Sequence, residues 1–216
     1  MPLIIRYGQR LANRDITAFR PQAAQNDLAA GTASDVPWNL TLVNSTHPLP
    51  EDYAIEFTVL SNGQKIDNRI YPDLQQMFDD ARSQGVYPFV REGYRTREEQ
   101  QEILEQKTKA YMNEGHLYFT AKKLAQKWVA APGTSEHELG LAVDINADQE
   151  QSTSDEVYEW LAQNAWQYGF ILRYPQGKEN VTGIDYEPWH YRYVGKDVAE
   201  QIHEEGLTLE EYLANN

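Results

Sequence analysis

The sequence predicts an α+β fold in which helices flank a central antiparallel sheet. Short segments of alternating polarity and amphipathic helical segments follow one another without the regular strand–helix–strand repeat of a parallel sheet. Three capping-box pairs, in which a glutamate follows a threonine by three residues, mark where helices begin. These pairs are Thr96 with Glu99, Thr153 with Glu156 and Thr208 with Glu211. No internal repeat interrupts this order.

The chain of 216 residues is long enough for one large domain with a full core. Residues 1–37 are loosely patterned, and the stretch from Gln22 to Asp35 is rich in small and polar residues. We interpret residues 1–37 as an N-terminal arm or linker, and the alternative is the remnant of a stalk. Residues 38–216 are predicted to form the single domain that carries the functional site.

The elements of the first half follow from alternation, turn residues and caps. Alternating apolar residues predict strands at 38–43 and 54–60. Asn62-Gly63 is a hairpin turn signal, so a partner strand is expected at 65–70. Helices are predicted to begin near Pro72, Thr96 and Thr120, with a strand of edge character at 86–91 between the first two.

The second half predicts a buried strand at 141–146, followed by a helix that begins after Thr153. Gly169 is suited to end this helical region, because glycine readily adopts the left-handed conformation found there. The remaining predicted elements are strands at 170–174 and 189–194 and helices at 196–205 and 209–214.

Composition excludes several classes of function. The chain has 33 acidic and 19 basic residues and a formal net charge of −14, which argues against nucleic acid as a partner. It contains no cysteine, so a metal site must be built from His, Asp and Glu. No apolar run is long enough for a transmembrane segment, and Leu3-Ile4-Ile5 is too short for the core of a signal peptide. If the protein is exported, we expect its signal or anchor to be absent from this chain.

Two histidines and one aspartate form a candidate metal site. His137, Asp144 and His190 are the ligand types of a catalytic zinc site that leaves one position open. The zincin pattern HExxH is excluded, because Leu141 stands where its second histidine would be. His137 and Asp144 are separated by an odd number of residues, so a continuous strand would direct them to opposite faces. A turn is therefore expected between them, and Gly140 permits it.

The second half of the candidate site lies in Glu187-Pro188-Trp189-His190. Glu187 and His190 also differ by an odd number, so a strand cannot direct both toward one metal. We predict a bulge or turn at Pro188-Trp189 that places His190 on a strand as ligand. Glu187 then lies beyond the ligand and is available as a general base. Arg192 is expected on the same face of the strand as His190.

These motifs form an ordered set that resembles a known family. The set comprises Gly93-Tyr94-Arg95-Thr96 with Gln100, Ser135-Glu136-His137 with Gly140, Ala142 and Asp144, and Glu187-Pro188-Trp189-His190-Tyr191-Arg192-Tyr193-Val194. It resembles the LAS metallopeptidases, the group named for lysostaphin, D-Ala-D-Ala metallopeptidases and sonic hedgehog. Within that group the chain is similar to the VanY-type D-alanyl-D-alanine carboxypeptidases, over roughly residues 38–213.

The resemblance implies a fold of the LAS and hedgehog type, Zn²⁺ as cofactor and a role for each matching residue. His137, Asp144 and His190 would be the zinc ligands, and Glu187 the catalytic base. Arg95 would steady the substrate carbonyl. Ser135 and Gln100 would contact the terminal D-alanine.

The reaction implied is removal of the C-terminal D-alanine from a peptidoglycan stem pentapeptide, with vancomycin resistance as one biological outcome. Three alternatives stay open: an L,D-carboxypeptidase that trims tetrapeptide stems, a D,D-dipeptidase, and a non-catalytic module that binds wall peptides. We expect a monomer that acts outside the membrane, in association with the cell envelope. A cytoplasmic location is the alternative, because related bifunctional enzymes are cytoplasmic.

Overall fold

A computed structural model describes residues 36–51 and 53–216 of the chain. The predicted N-terminal arm lies almost wholly outside these residues. Within them, no helix is both long enough and apolar enough to cross a membrane.

Six strands and seven α-helices are found in the described residues. The strands are β1 (Phe57–Val59), β2 (Lys65–Asp67), β3 (Pro88–Glu92), β4 (Ala142–Ala147), β5 (Phe170–Leu172) and β6 (His190–Tyr193). The helices are α1 (Tyr71–Ser83), α2 (Arg97–Asn113), α3 (Tyr118–Ala125), α4 (Ser154–Asn164), α5 (Glu179–Thr182), α6 (Lys196–Glu205) and α7 (Leu209–Asn215). Short 3₁₀ helices occur at Trp38–Leu40, Glu136–Leu139 and Ala165–Tyr168. All three predicted capping boxes are formed, and they begin α2, α4 and α7.

The central sheet has the strand order β3-β4-β6-β5, and every neighbouring pair is antiparallel. The hairpin of β1 and β2 forms a separate sheet around the Asn62-Gly63 turn. Strand β3 lies at an edge, and its register shifts between Val90 and Glu92. This irregularity agrees with the edge character predicted from Pro88. The predicted α+β class with an antiparallel sheet is confirmed.

The two faces of the central sheet have different roles. On β4, Val143 and Ile145 belong to the main hydrophobic core, together with Tyr191 of β6. Leu74 of α1 and Leu161 of α4 are buried in the same core. Because side chains alternate along a strand, the opposite face carries the candidate site. Full burial of one such leucine contributes roughly 1.5–3 kcal/mol, so this packing holds the site face in place.

The predicted strand at 38–43 is wrong, because this segment starts with a 3₁₀ turn and then runs without a strand partner. Its carbonyl groups have another use. The carbonyl oxygens of Asn39 and Thr41 accept hydrogen bonds from the Arg192 guanidinium at 3.0 and 2.9 Å. The buried Arg192 guanidinium therefore satisfies the backbone carbonyl groups that a neighbouring strand would otherwise bind.

The predicted start of α3 is also wrong. The helix begins at Tyr118 after Leu117, without a side-chain cap, and Thr120 lies inside it. Its buried residues are Ala121 and Ala125. After Ala125 the chain continues in turns, with Trp128 donating a backbone hydrogen bond to Ala125 at 3.0 Å. This places the Trp128 side chain at the wall of the cleft described below.

Candidate active site

The turn predicted between His137 and Asp144 is present. A 3₁₀ helix from Glu136 to Leu139 ends at Gly140, which has a φ of 70°. The Gly140 carbonyl accepts a hydrogen bond from the Asp67 amide at 3.0 Å. The positive φ favours glycine at residue 140, and a Cβ atom there would lie only 3.2 Å from the Asp67 nitrogen, so a larger residue would also press on Asp67.

The turn predicted at Pro188-Trp189 is present as well. The His190 amide donates to the Glu187 carbonyl at 3.2 Å, which closes a turn immediately before β6. In the register of β4 and β6, His190 lies directly opposite Asp144. Opposed residues on neighbouring strands have side chains on one face, so the sheet itself brings these two groups together.

Three side chains converge at this point. Asp144 Oδ1 lies 3.3 Å from His137 Nε2 and 3.0 Å from His190 Nδ1. One ligand atom from each of the three residues lies within 4.8 Å of the others. His137 Nδ1 lies 2.8 Å from the Gly93 carbonyl oxygen, which fixes that nitrogen as the donor and directs Nε2 to the cluster.

The cluster fits a zinc ion. Asp144 Oδ1 is buried without a hydrogen-bond partner among the described residues, and it points between two imidazole nitrogens. A buried acceptor in this state needs a cation or a donor. Two imidazoles and one carboxylate are the donor set of a catalytic zinc site with an open position.

The ionisation of the two histidines differs in the metal-free protein. Burial lowers the pKa of His137 to about 4, with the Arg95 charge acting in the same direction. At His190 the effect of burial is outweighed by Asp144 and Glu136, and its pKa rises to about 9. Zinc binds the neutral form of an imidazole, so the raised pKa of His190 opposes zinc binding as the pH falls.

A buried charge network lies behind His190, and sequence reasoning missed it. Glu136 Oε1 accepts from Arg173 Nε and from an Arg192 terminal nitrogen, both at 2.8 Å. The other carboxylate oxygen of Glu136 lies 3.8 Å from His190 Nε2. Arg173 also forms a two-point contact with Glu210 of α7. The sequence contains one indication of this network, which is the predicted placement of Arg192 on the same strand face as His190.

Glu187 lies beside the cluster and is only 6% exposed. Its Oε2 atom lies 3.7 Å from His190 Nδ1. Burial is the main cause that raises the pKa of Glu187 to about 7, and the Asp144 charge adds to it. A carboxylate with such a pKa can take up and release a proton near neutral pH.

Arg95 reaches the same place from the loop before α2. One terminal nitrogen lies 3.6 Å from Asp144 Oδ2, and the other donates to Gln100 Oε1 at 2.9 Å. The Gln100 amide nitrogen donates to the Ala130 carbonyl at 2.7 Å, and Gln100 is 1% exposed. Gln100 therefore holds the Arg95 guanidinium in place. This role does not depend on a contact between Gln100 and the substrate.

All seven predicted site residues line one cleft of about 400 Å³. They are Arg95, Gln100, Ser135, His137, Asp144, Glu187 and His190. Ser135 is among the buried members of this lining and is 4% exposed. The cleft is also lined by the half-buried Lys107, Tyr111 and Trp128, which no sequence motif indicated. The structure thus assembles the predicted set, and the role of each member stays a prediction.

An antiparallel sheet that presents a His–Asp–His cluster beside a buried glutamate and an arginine defines a zinc metallopeptidase. The family model described as "VanY: D-alanyl-D-alanine carboxypeptidase" matches residues 63–196. The chain belongs to the VanY family of D-alanyl-D-alanine carboxypeptidases.

Individual relatives agree with this assignment. The chain is 56% identical to a D-alanyl-D-alanine carboxypeptidase of Enterococcus faecalis, over 91% of this chain and 74% of that protein. The solved structure of VanYB in complex with D-alanine-D-alanine has a TM-score of 0.82 and 55% identity, covering 82% of this chain and 98% of that one.

A mutant of the vancomycin resistance D,D-pentapeptidase VanY from a VanB-type cassette was solved in complex with Zn(II). It has a TM-score of 0.81 and 55% identity, covering 82% of this chain and 99% of that one. The predicted VanY-type resemblance, LAS-type fold and enzyme class are confirmed. The mutant relative binds Zn(II), and His137, Asp144 and His190 of this chain are grouped as a possible metal site, in agreement with the predicted cofactor.

Proposed function

We propose that this enzyme removes the C-terminal D-alanine from peptidoglycan stem pentapeptides that end in D-Ala-D-Ala. The observation that carries the proposal is the placement of Glu187 beside the His–Asp–His cluster, at the wall of a cleft. A buried carboxylate with a pKa near 7 is suited to peptide hydrolysis, which requires a proton to move twice.

In the reaction, Glu187 takes a proton from the attacking water and then delivers it to the leaving amino group of D-alanine. Zinc, when bound by His137, Asp144 and His190, supplies a Lewis acid that polarises the scissile carbonyl and acidifies water. The turn that precedes β6 fixes the Glu187 backbone beside the cluster, and Glu187 Oε2 lies 3.7 Å from His190 Nδ1, which suits both transfers.

Arg95 stabilises the negative charge that develops on the carbonyl oxygen. Its guanidinium is held by Gln100 and by the Asp144 carboxylate, so little reorganisation is needed as charge develops. Ser135 and Gln100 then contact the terminal D-alanine at the buried end of the cleft. Two observations support this: both residues line the cleft, and both are nearly fully buried.

A comparison of substrates tests the proposal. Purified zinc enzyme is given the pentapeptide, the tetrapeptide and free D-Ala-D-Ala, and released D-alanine is measured. We expect kcat/KM to be highest for the pentapeptide. A preference for the tetrapeptide would indicate an L,D-carboxypeptidase, and one for the dipeptide a D,D-dipeptidase. Zinc-loaded protein that releases D-alanine from none of them would indicate a binding module.

The proposed product chemistry has a biological consequence. Removing the last D-alanine destroys the D-Ala-D-Ala ending that vancomycin binds, so the enzyme would contribute to resistance. We propose that it acts outside the membrane at the cell envelope, where stem peptides are exposed. Residues 38–216 form the catalytic domain in this proposal, and 1–37 an arm or linker. We also propose that the enzyme is a monomer, and light scattering would test this state.

A further inference from the structure

Helix α2 presents one row of side chains to the cleft: Gln100, Ile103, Lys107 and Tyr111. Residues three or four apart share a helix face, so this row is a continuous wall. From Gln100 to Lys107 the helix advances about 10 Å, at 1.5 Å per residue. The wall therefore runs from the buried end beside Arg95 outward to a half-buried lysine and tyrosine.

Lys107 is held at this wall by two aromatic rings. Its Nζ atom lies 5.7 Å from the ring centroid of Tyr111 and 5.4 Å from that of Trp128. Such rings attract an ammonium group and restrict its position. In the described part of the chain, the lysines that form ion pairs are Lys178 and Lys196, and Lys107 has no carboxylate partner.

The charge of Lys107 matters because the protein as a whole is strongly acidic, with a formal net charge of −14. An anionic substrate is repelled at long range, so recognition of its charge requires a local cation. Apart from the histidines of the metal cluster, Arg95 and Lys107 are the cationic side chains that line the cleft among the described residues. Arg95 already contacts Gln100 and Asp144, whereas the Lys107 ammonium is available.

We infer that Lys107 binds a carboxylate of the stem peptide on the amino-terminal side of the scissile bond. This inference rests on the proposed function, with the terminal D-alanine placed beside Gln100 and Ser135. An extended chain advances roughly 3.3 Å per residue, so about 10 Å corresponds to three residues. Three residues before the last D-alanine is D-isoglutamate, which is joined through its γ-carboxyl group and therefore has a free α-carboxylate. The γ-link places this carboxylate about two carbon–carbon bonds beyond the 10 Å span, within reach of a lysine side chain. A diaminopimelate side chain carries the same group one residue nearer to the cleaved bond.

The test uses three pentapeptides with the zinc-loaded enzyme. The first two contain L-lysine at the third position and differ only in D-isoglutamate or D-isoglutamine at the second. The third combines D-isoglutamine with diaminopimelate. The variants are Lys107→Met and Lys107→Arg. The matched control is Lys109→Met, because Lys109 lies on the same helix, is exposed and does not line the cleft.

For Lys107→Met we expect KM to rise roughly tenfold on the D-isoglutamate peptide, the scale of one hydrogen bond to a charged group. On the L-lysine peptide with D-isoglutamine, KM should change less than about twofold. Because the Lys107 charge also lowers the pKa of Glu187, any change in kcat should be the same on the two peptides. Lys107→Arg should retain the preference for the acid, and Lys109→Met should behave as wild type. A KM increase confined to the diaminopimelate peptide would also support the inference and assign the carboxylate to the third residue.

An equal KM increase on the acid and amide peptides would overturn the inference, because Lys107 would then serve only to hold Tyr111 and Trp128. No change on any peptide would overturn it as well. Failure of the proposed function is a separate result, since wild-type enzyme would then release D-alanine from none of the three.

Discussion

Replacement of Glu136 by glutamine tests the buried network behind the metal cluster. The change keeps the shape of the side chain and removes its charge. Glu136 and Glu210 are the carboxylates of the network, and Arg173 and Arg192 its guanidinium groups, so the charges balance in the native protein. Glu136→Gln leaves one positive charge uncompensated at a site where both arginine side chains are 0% exposed.

The expected loss of stability is large. Removing one partner of a buried ion pair typically costs about 3–5 kcal/mol, because the remaining charge cannot be solvated. For a domain of this size each kcal/mol lowers Tm by about 2–4 °C, so a fall of roughly 6–20 °C is expected. The assay is thermal and urea unfolding of the metal-free protein, followed by circular dichroism.

Two matched substitutions calibrate the result. Glu210→Gln should cost less than Glu136→Gln, because the Glu210 side chain is 15% exposed and Arg173 retains Glu136. Glu204→Gln, at an exposed position of α6, should leave stability unchanged within about 0.5 kcal/mol. A typical single substitution changes the free energy of unfolding by about 1 kcal/mol. If the free energy of unfolding of Glu136→Gln lies within that amount of the wild-type value, the network contributes no specific stability and the reasoning is refuted.

The same variant has a second readout at the metal. Glu136 lies 3.8 Å from His190 Nε2, the ring nitrogen that faces away from Asp144. Loss of a carboxylate behind a metal-binding imidazole typically weakens metal affinity about 10–100-fold. Competition with a chromophoric chelator measures this change. Unaltered zinc affinity in a destabilised variant would show that the network supports the fold and not the ligand.

Three further predictions address the site itself. Glu187→Ala should bind stoichiometric zinc and lose turnover, and a wild-type rate would contradict its role as base. His190→Ala should lose both zinc and turnover, and full zinc content by metal analysis would contradict its role as ligand. Arg95→Ala should lower kcat by about 10²–10³, the cost of one oxyanion donor, while zinc content stays at one per chain; an unchanged kcat would remove Arg95 from the reaction. Gly140→Ala should cost about 1–2 kcal/mol for its positive φ and also weaken zinc binding, because Cβ would press on Asp67. The control is Gly177→Ala, because Gly177 has a φ of 83° and open space around it. This variant should lose stability and keep its zinc affinity. Equal zinc affinity in the two variants would refute the positioning role of Gly140.

Local signals in the sequence determined much of the fold. The three threonine–glutamate pairs became capping boxes because each requires only the first turn of its own helix. The spacing of His137 and Asp144 required a turn, and the conformation of Gly140 agrees with this. Such features depend on alternation and backbone sterics over a few residues, which a sequence shows directly.

The wrong predictions have a common cause. The segment 38–43 alternates like a strand, but its carbonyl groups bind Arg192, which lies about 150 residues further along the chain. Thr120 is a good capping residue, yet α3 begins earlier at Tyr118. In both cases the local preference is weak, and contacts made elsewhere in the fold outweigh it.

The sequence by itself determined the make-up of the candidate site: two histidines and an aspartate, the two turns that let them converge, and a glutamate beside them. Only the tertiary structure decided how these groups are supported. The register that sets Asp144 opposite His190, the arginines that surround Glu136, and the row that leads to Lys107 all depend on pairing between distant segments. Register and burial are properties of the assembled sheet and core, because they arise from contacts that no local pattern encodes.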